Sequence, residues 1–149
     1  MMSTVTRPRT LEELLSAACA RISRLEPRDA FAATAIGALI VDIRSHEARR
    51  DDGIVPGALH IPRTVLEWRV APDGEFRNPH VGGPEQQLLL LCDHGCSSVL
   101  AAATLVDLGF ARAGDVIGGF LAWEEAGLPV AEARPSRPGR PGMAGPDPA

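Results

Sequence analysis

Apolar and polar positions along this chain follow two alternating periods. Leu11, Leu14, Leu15, Ala18, Ile22 and Leu25 recur at helical spacing, and Thr10 with Glu13 forms a capping-box pattern. This predicts an amphipathic helix over residues 10–25, with Cys19 beside its apolar stripe. A second helix is predicted over residues 28–36, with Pro27 suited to its first turn and Gly37 to its end. Residues 38–43 then read as a buried β-branched strand and 46–50 as a charged turn or short helix. A short strand at 58–61 and a helix at 65–70 follow. Residues 71–87 carry Pro, Gly and charge, and predict a loop that could rim a site. Leu88 to Leu91 are four successive leucines, the pattern of a strand buried on both faces, as in a parallel sheet. A helix over 98–108 with Gly109 as its stop, a last strand at 115–117 and a helix at 120–126 complete the pattern.

Strands alternating with helices predict an α/β fold with a small central parallel sheet and helices on both faces, plus the extra N-terminal helix. The expected organisation is an extension over residues 1–26, a domain over 27–130 and a tail over 131–149. That tail is dominated by Pro and Gly without apolar periodicity, so disorder is expected there.

Chemistry concentrates where the leucine strand ends. Cys92-Asp93-His94-Gly95-Cys96-Ser97-Ser98 joins that strand to the next helix, for which Ser97 or Ser98 is the expected N-cap. A thiol placed there meets the unpaired N–H groups and positive pole of a helix start. Curling the loop aims further amides inward as an anion nest, and Gly95 permits the turn. Such surroundings favour thiolate, the reactive form. Cys92 is therefore the nucleophile candidate, with the amides of Asp93, His94, Gly95, Cys96, Ser97 and Ser98 as the nest. Cys96 is either a resolving thiol or a side chain pointing out of the loop. His94 is either a tuner of Cys92 or a surface histidine. No second ligand pair stands at zinc-type spacing, so no metal and no cofactor are expected.

Composition narrows the partners. The chain has 149 residues, 45% hydrophobic and 23% charged, with a net charge of −4, which argues against nucleic acid. No apolar run approaches the roughly 20 residues of a membrane span. Positive charge at Arg7 and Arg9 is not followed by an apolar segment, and the 3 cysteines form no even framework. A reducing cytoplasm is the expected compartment. The N-terminal helix either covers the domain or pairs with a second copy, which leaves a homodimer open.

Four segments together resemble the rhodanese family of single-domain sulfurtransferases. They are Leu39-Ile40-Val41-Asp42-Ile43-Arg44, Gly53 to Pro62, the Cys92 loop, and Gly118-Gly119-Phe120-Leu121-Ala122-Trp123 with Ala126-Gly127-Leu128-Pro129-Val130. Leu66-Glu67-Trp68-Arg69 and the Ser97-Ser98 loop ending also resemble an actinobacterial rhodanese-like subgroup. The resemblance implies a Cys92 persulfide, a small-molecule sulfur donor, and a thiol or sulfur-accepting protein as acceptor. It gives Asp42 and Arg44 a role as loop buttress or ion pair, and sets Gly118 and Gly119 as a tight turn beside the loop. Where the family loop carries two arginines, this chain has Asp93 and Ser97, which weakens the case for thiosulfate as donor. Arg44, Arg63 and Arg69 are candidates to reach across the rim instead. Trp68 and Trp123 are expected to pack. The alternative is a binding or redox-sensing module on the same fold. A phosphatase reading is disfavoured because position 98 is Ser rather than Arg.

Overall fold

The computed structural model describes residues 7–135 and 139–148. Its strands are β1 (Ser23–Leu25), β2 (Leu39–Asp42), β3 (Leu59–His60), β4 (Leu88–Leu91) and β5 (Gly114–Val116). Its helices are α1 (Leu11–Cys19), α2 (Pro27–Thr34), α3 (His46–Asp52), α4 (Leu66–Val70), α5 (Ser97–Asp107) and α6 (Gly119–Glu125). The sheet runs in the order β1-β5-β4-β2-β3, and every pairing is parallel.

The leucine strand lies at the centre, and the period of two divides it between two cores. Leu88 and Leu90 join Val41, Leu59, Leu66, Val70 and Leu105 under α4 and α5. Leu89 and Leu91 join Ile40, Ala30, Phe120 and Trp123 under α2 and α6. All four leucines are fully buried, and each contributes about 1.5–3 kcal/mol relative to exposure. Trp123 is packed as expected, with its indole N–H on the Pro129 carbonyl at 2.9 Å. Trp68 is 61% exposed and is not a packing residue.

Helix α1 packs on α5 through Ala18, Val99 and Ala103. The expected capping box is present: the Glu13 amide donates to Thr10 Oγ1 at 3.1 Å, and the Thr10 amide to Glu13 Oε1 at 3.4 Å. The helix stops at Cys19, however, and does not run to residue 25. Ser23-Arg24-Leu25 instead pair with Gly114-Asp115-Val116 as the edge strand β1. The ladder satisfies backbone groups that β5 would otherwise leave unpaired, and this outweighs the helical spacing of Ile22 and Leu25. Gly114 makes the approach feasible, because a Cβ there would fall 2.0 Å from the Ser23 carbonyl oxygen.

The described part of the tail makes specific contacts with the domain. Residues 139–148 are not free but lie against the opposite side of the domain. Asn78 donates to the Gly142 and Ala144 carbonyls at 2.8 and 3.0 Å, and Arg69 to Pro141 at 2.6 Å. Asp147 exchanges backbone hydrogen bonds with Gly57 and Ala58 at 2.7 and 2.8 Å, and Arg49 grips its carboxylate. Pro and Gly exclude regular structure, but they leave carbonyls that fixed side-chain donors can hold. The expectation for residues 136–138 and 149 lies outside the described residues.

Candidate active site

At the carboxyl end of β4 the chain turns sharply at Cys92, which is buried. Gly95 takes φ +80°, and a Cβ there would stand 2.6 Å from the Gly118 nitrogen. A Cβ on Gly119 would stand 2.4 Å from the Cys92 carbonyl oxygen. The loop and the turn into α6 therefore meet backbone to backbone, which is the contact that glycine allows. The Phe120 and Leu121 amides close it, donating to the Cys92 and Asp93 carbonyls at 2.8 and 3.2 Å.

Around the sulfur a chain of hydrogen bonds runs inward. The Gly95 amide donates to Cys92 Sγ at 3.1 Å, and the thiol donates to Ser98 Oγ at 3.3 Å. The Ser98 hydroxyl in turn donates a hydrogen bond to Asp115 at 2.7 Å. Asp115 is fully buried and is held by Arg24 Nε and an Arg24 terminal nitrogen at 2.8 and 3.0 Å. That same nitrogen reaches the Gly95 carbonyl at 3.1 Å. Burial pushes the Cys92 thiol up, but hydrogen bonds from Ser98, Ser97 and the Gly95 amide outweigh it and hold the thiol below its ordinary value. The start of α5 adds its positive pole. Its N-cap is Cys96, without a side-chain cap, so neither Ser97 nor Ser98 caps the helix. The Ser98 hydroxyl is committed to Cys92 and Asp115 instead.

The remaining sequence candidates divide clearly. Asp93, His94, Cys96 and Ser97 are exposed on the loop, whereas Ser98 is buried. Asp42 and Arg44 form a buried ion pair at 2.8 Å, and Arg49 adds a second contact to Asp42 at 2.8 Å. Burial pushes the Asp42 carboxyl up, but Arg44 and Arg49 together hold it below the ordinary range. Arg44 lies 4.0 Å over the Phe120 ring, and the Phe120 amide donates to the Cys92 carbonyl. The arginines expected to cross the rim are engaged elsewhere. Arg44 also bonds the Gly53 carbonyl, Arg63 pairs with Glu67, and Arg69 is held by the Pro141 and Phe76 carbonyls. No cluster of three or more metal-ligating side chains exists among the described residues.

Sequence reasoning missed Arg24 and Asp115. Asp115 gave a usable signal, an acid within a strand otherwise expected to be buried. Arg24 gave none, because it occupied a polar position of the expected helix.

The family model for the rhodanese-like domain matches residues 28–126. The chain is 37% identical over 101 residues to the thiosulfate sulfurtransferase GlpE of Pseudomonas entomophila, covering 67% of this chain and 83% of that protein. It is 30% identical over 92 residues to a sulfurtransferase of Allochromatium vinosum, covering 62% and 77%. A Rhodopseudomonas palustris protein of unknown function, described as a possible tyrosine phosphatase, superposes with TM-score 0.75 at 32% identity over 87% of this chain and 98% of that one. The polysulfide-sulfur transferase homodimer of Wolinella succinogenes superposes with TM-score 0.66 at 26% identity, over 82% and 87%.

Proposed function

The chain belongs to the rhodanese-like domain family, and on that premise we propose that it is a sulfurtransferase that carries sulfane sulfur as a persulfide on Cys92. The observation that carries this reading is the sulfur itself: a buried thiol held below its ordinary pKa by a backbone amide and serine donors at the mouth of a helix. The Cys92 thiolate attacks the outer sulfur of a donor; with thiosulfate, the donor S–S bond breaks and sulfite leaves with its electron pair. The loop then holds a Cys92 persulfide anion, larger than the thiolate but of the same charge, against the same donors. A thiol or cyanide attacks the outer sulfur next, taking it away and restoring the Cys92 thiolate.

The donor is a small molecule, and the acceptor is a thiol or a sulfur-accepting protein. The relatives named for thiosulfate and polysulfide transfer bring both donor classes forward, although this loop lacks side-chain cations at positions 93 and 97. Backbone amides and hydroxyls do not need those cations to stabilise a monoanionic sulfur. A reducing compartment such as the cytoplasm keeps Cys92 free, and a second copy of the chain is a candidate partner. A phosphatase reading lacks an anion-binding arginine in the loop, and Arg24 is committed to Asp115 and Gly95.

Intact mass spectrometry after separate exposure to thiosulfate and polysulfide tests the proposal. The wild type is expected to gain one sulfur atom that reductant removes, and Cys92→Ser is expected to gain none. No gain with either donor, in a folded protein whose Cys92 still alkylates, would reassign the site to binding or redox sensing.

A further inference from the structure

The family match begins at residue 28, yet a cation hydrogen-bonded to the Cys92 loop and to Asp115 lies before it. Arg24 stands on β1, and its guanidinium reaches the Cys92 sulfur by two routes. One runs through the Gly95 peptide, whose carbonyl accepts from Arg24 at 3.1 Å and whose amide donates to Sγ at 3.1 Å. The other runs through Asp115, which Arg24 holds at 2.8 and 3.0 Å, and then through Ser98 to the thiol. Asp115 is fully buried, and about 30% of the Arg24 side chain is exposed.

We propose that Arg24 is a positioning residue that makes the anionic forms of Cys92 available, by neutralising Asp115 so that the Ser98 hydroxyl can turn from the carboxylate to the sulfur. The proposal deepens the sulfur-transfer reading and rests on it for its role in turnover. The physical reason is a competition for one proton. Ser98 carries a single hydroxyl hydrogen. While Cys92 is a thiol, that hydrogen goes to Asp115 and the oxygen accepts the S–H, as the geometry shows. When the thiol releases its proton to solvent, the sulfur becomes an acceptor and needs the same hydrogen. Asp115 then gives up one of its donors. It tolerates this because two Arg24 N–H groups remain on it and cancel its charge. Without Arg24, a buried carboxylate would hold the Ser98 hydroxyl and set an uncompensated negative charge next to the sulfur.

Other charged or titratable groups near the sulfur do not duplicate Arg24. Asp93, His94 and Cys96 are exposed on its own loop, Asp115 comes from β5, and Cys19 at the end of α1 also lies within the electrostatic reach of Arg24.

The test follows the rate at which iodoacetamide modifies Cys92 as a function of pH, read on the Cys92 peptide by mass spectrometry, with far-UV circular dichroism as the check on folding. Arg24→Met is expected to move the midpoint up by about one pH unit, a roughly tenfold slower reaction below both midpoints. Arg24→Lys is expected to recover part of that loss. Asp115→Asn, which removes the charge and leaves Arg24 in place, is expected to move the midpoint down. The double variant is expected to lie closer to wild type than Arg24→Met does. A role in stability alone would not shift the two single variants in opposite directions. A folded Arg24→Met or Asp115→Asn variant with the wild-type midpoint would overturn the proposal. If Arg24→Met does not fold, Arg24→Lys and Asp115→Asn decide by the same criterion. Alkylation needs no sulfur donor. Shifted midpoints without sulfur loading would therefore leave this inference standing and sink sulfur transfer, and sulfur loading with unshifted midpoints would do the reverse.

Discussion

Two segments flank the matched domain, and they attach to it by different physics. Residues 11–25 add regular structure: α1 docks through Ala18 on Val99 and Ala103, and β1 pairs with β5. Residues 139–148 add none. Their carbonyls are gripped by the side chains of Arg69 and Asn78, and Asp147 is held by Arg49 and by the backbone of Gly57 and Ala58. Both nevertheless deliver one charged side chain to a partly buried ion pair, Arg24 to Asp115 and Asp147 to Arg49. An apolar stripe announces its docking in the sequence, because burial of apolar area is non-directional and periodic. Hydrogen bonds from distant donors to backbone carbonyls announce nothing, because every residue carries the same carbonyl.

The comparison breaks most severely at Gly114. Gly114→Val places a side chain where the Ser23 carbonyl now lies, so β1 must leave the sheet edge. The expected loss is about 3 kcal/mol or more, read as a lower midpoint in urea unfolding, together with slower alkylation of Cys92 as Arg24 is displaced. Unchanged stability would mean that the edge strand contributes nothing.

Acid sharpens the contrast on the opposite side, where Asp42, Arg49, Asp147 and His60 meet. His60 Nε2 donates to the Arg44 carbonyl at 2.7 Å, and burial and then Arg49 hold the imidazole below its ordinary value. The unfolded chain therefore takes up the proton first. The contribution of His60 is complete above about pH 6.5 and is lost as pH falls toward the folded value. Asp42 acts in the same direction: burial raises its pKa, but Arg44 and Arg49 outweigh that. Its contribution is present above about pH 4 and is lost as pH falls through the depressed folded value. Thermal unfolding measured from pH 7 down to about pH 2 is expected to show a falling Tm, with His60→Gln flattening the upper part of the curve. A flat profile in the wild type would contradict these assignments.

The smallest effect is expected from the tail. Asp147→Ala removes one partner of Arg49, which keeps Asp42. The loss is expected to be about 1 kcal/mol, visible as a small drop in Tm and as faster proteolysis after residue 135, with Cys92 alkylation unchanged. A loss as large as that of Gly114→Val would make the two flanks equivalent.

Much of the fold was legible in the sequence because its strongest elements repeat a short period. Leu88 to Leu91 suited a strand buried on both faces, and the cysteine that follows it fell before a helix-favouring segment. The site was legible as far as the loop itself, from Cys92 to Ser98. Beyond the loop, the role of Ser98 changed from helix cap to hydrogen-bond bridge, because its hydroxyl faces Asp115 across the gap between α5 and β5.

The sequence by itself determined the α/β class, the central strand and the position of the thiol, since each follows from periodicity and from neighbours a few residues apart. Only the tertiary structure decided that residues 23–25 leave the helix and that the tail lies down. It also decided that Arg24 and Asp115 complete the surroundings of Cys92. Parallel pairing joins positions 91 residues apart in the Arg24–Asp115 contact. No local pattern encodes which distant strand will stand alongside, because backbone hydrogen bonds are the same at every residue and register is set by packing of the whole sheet.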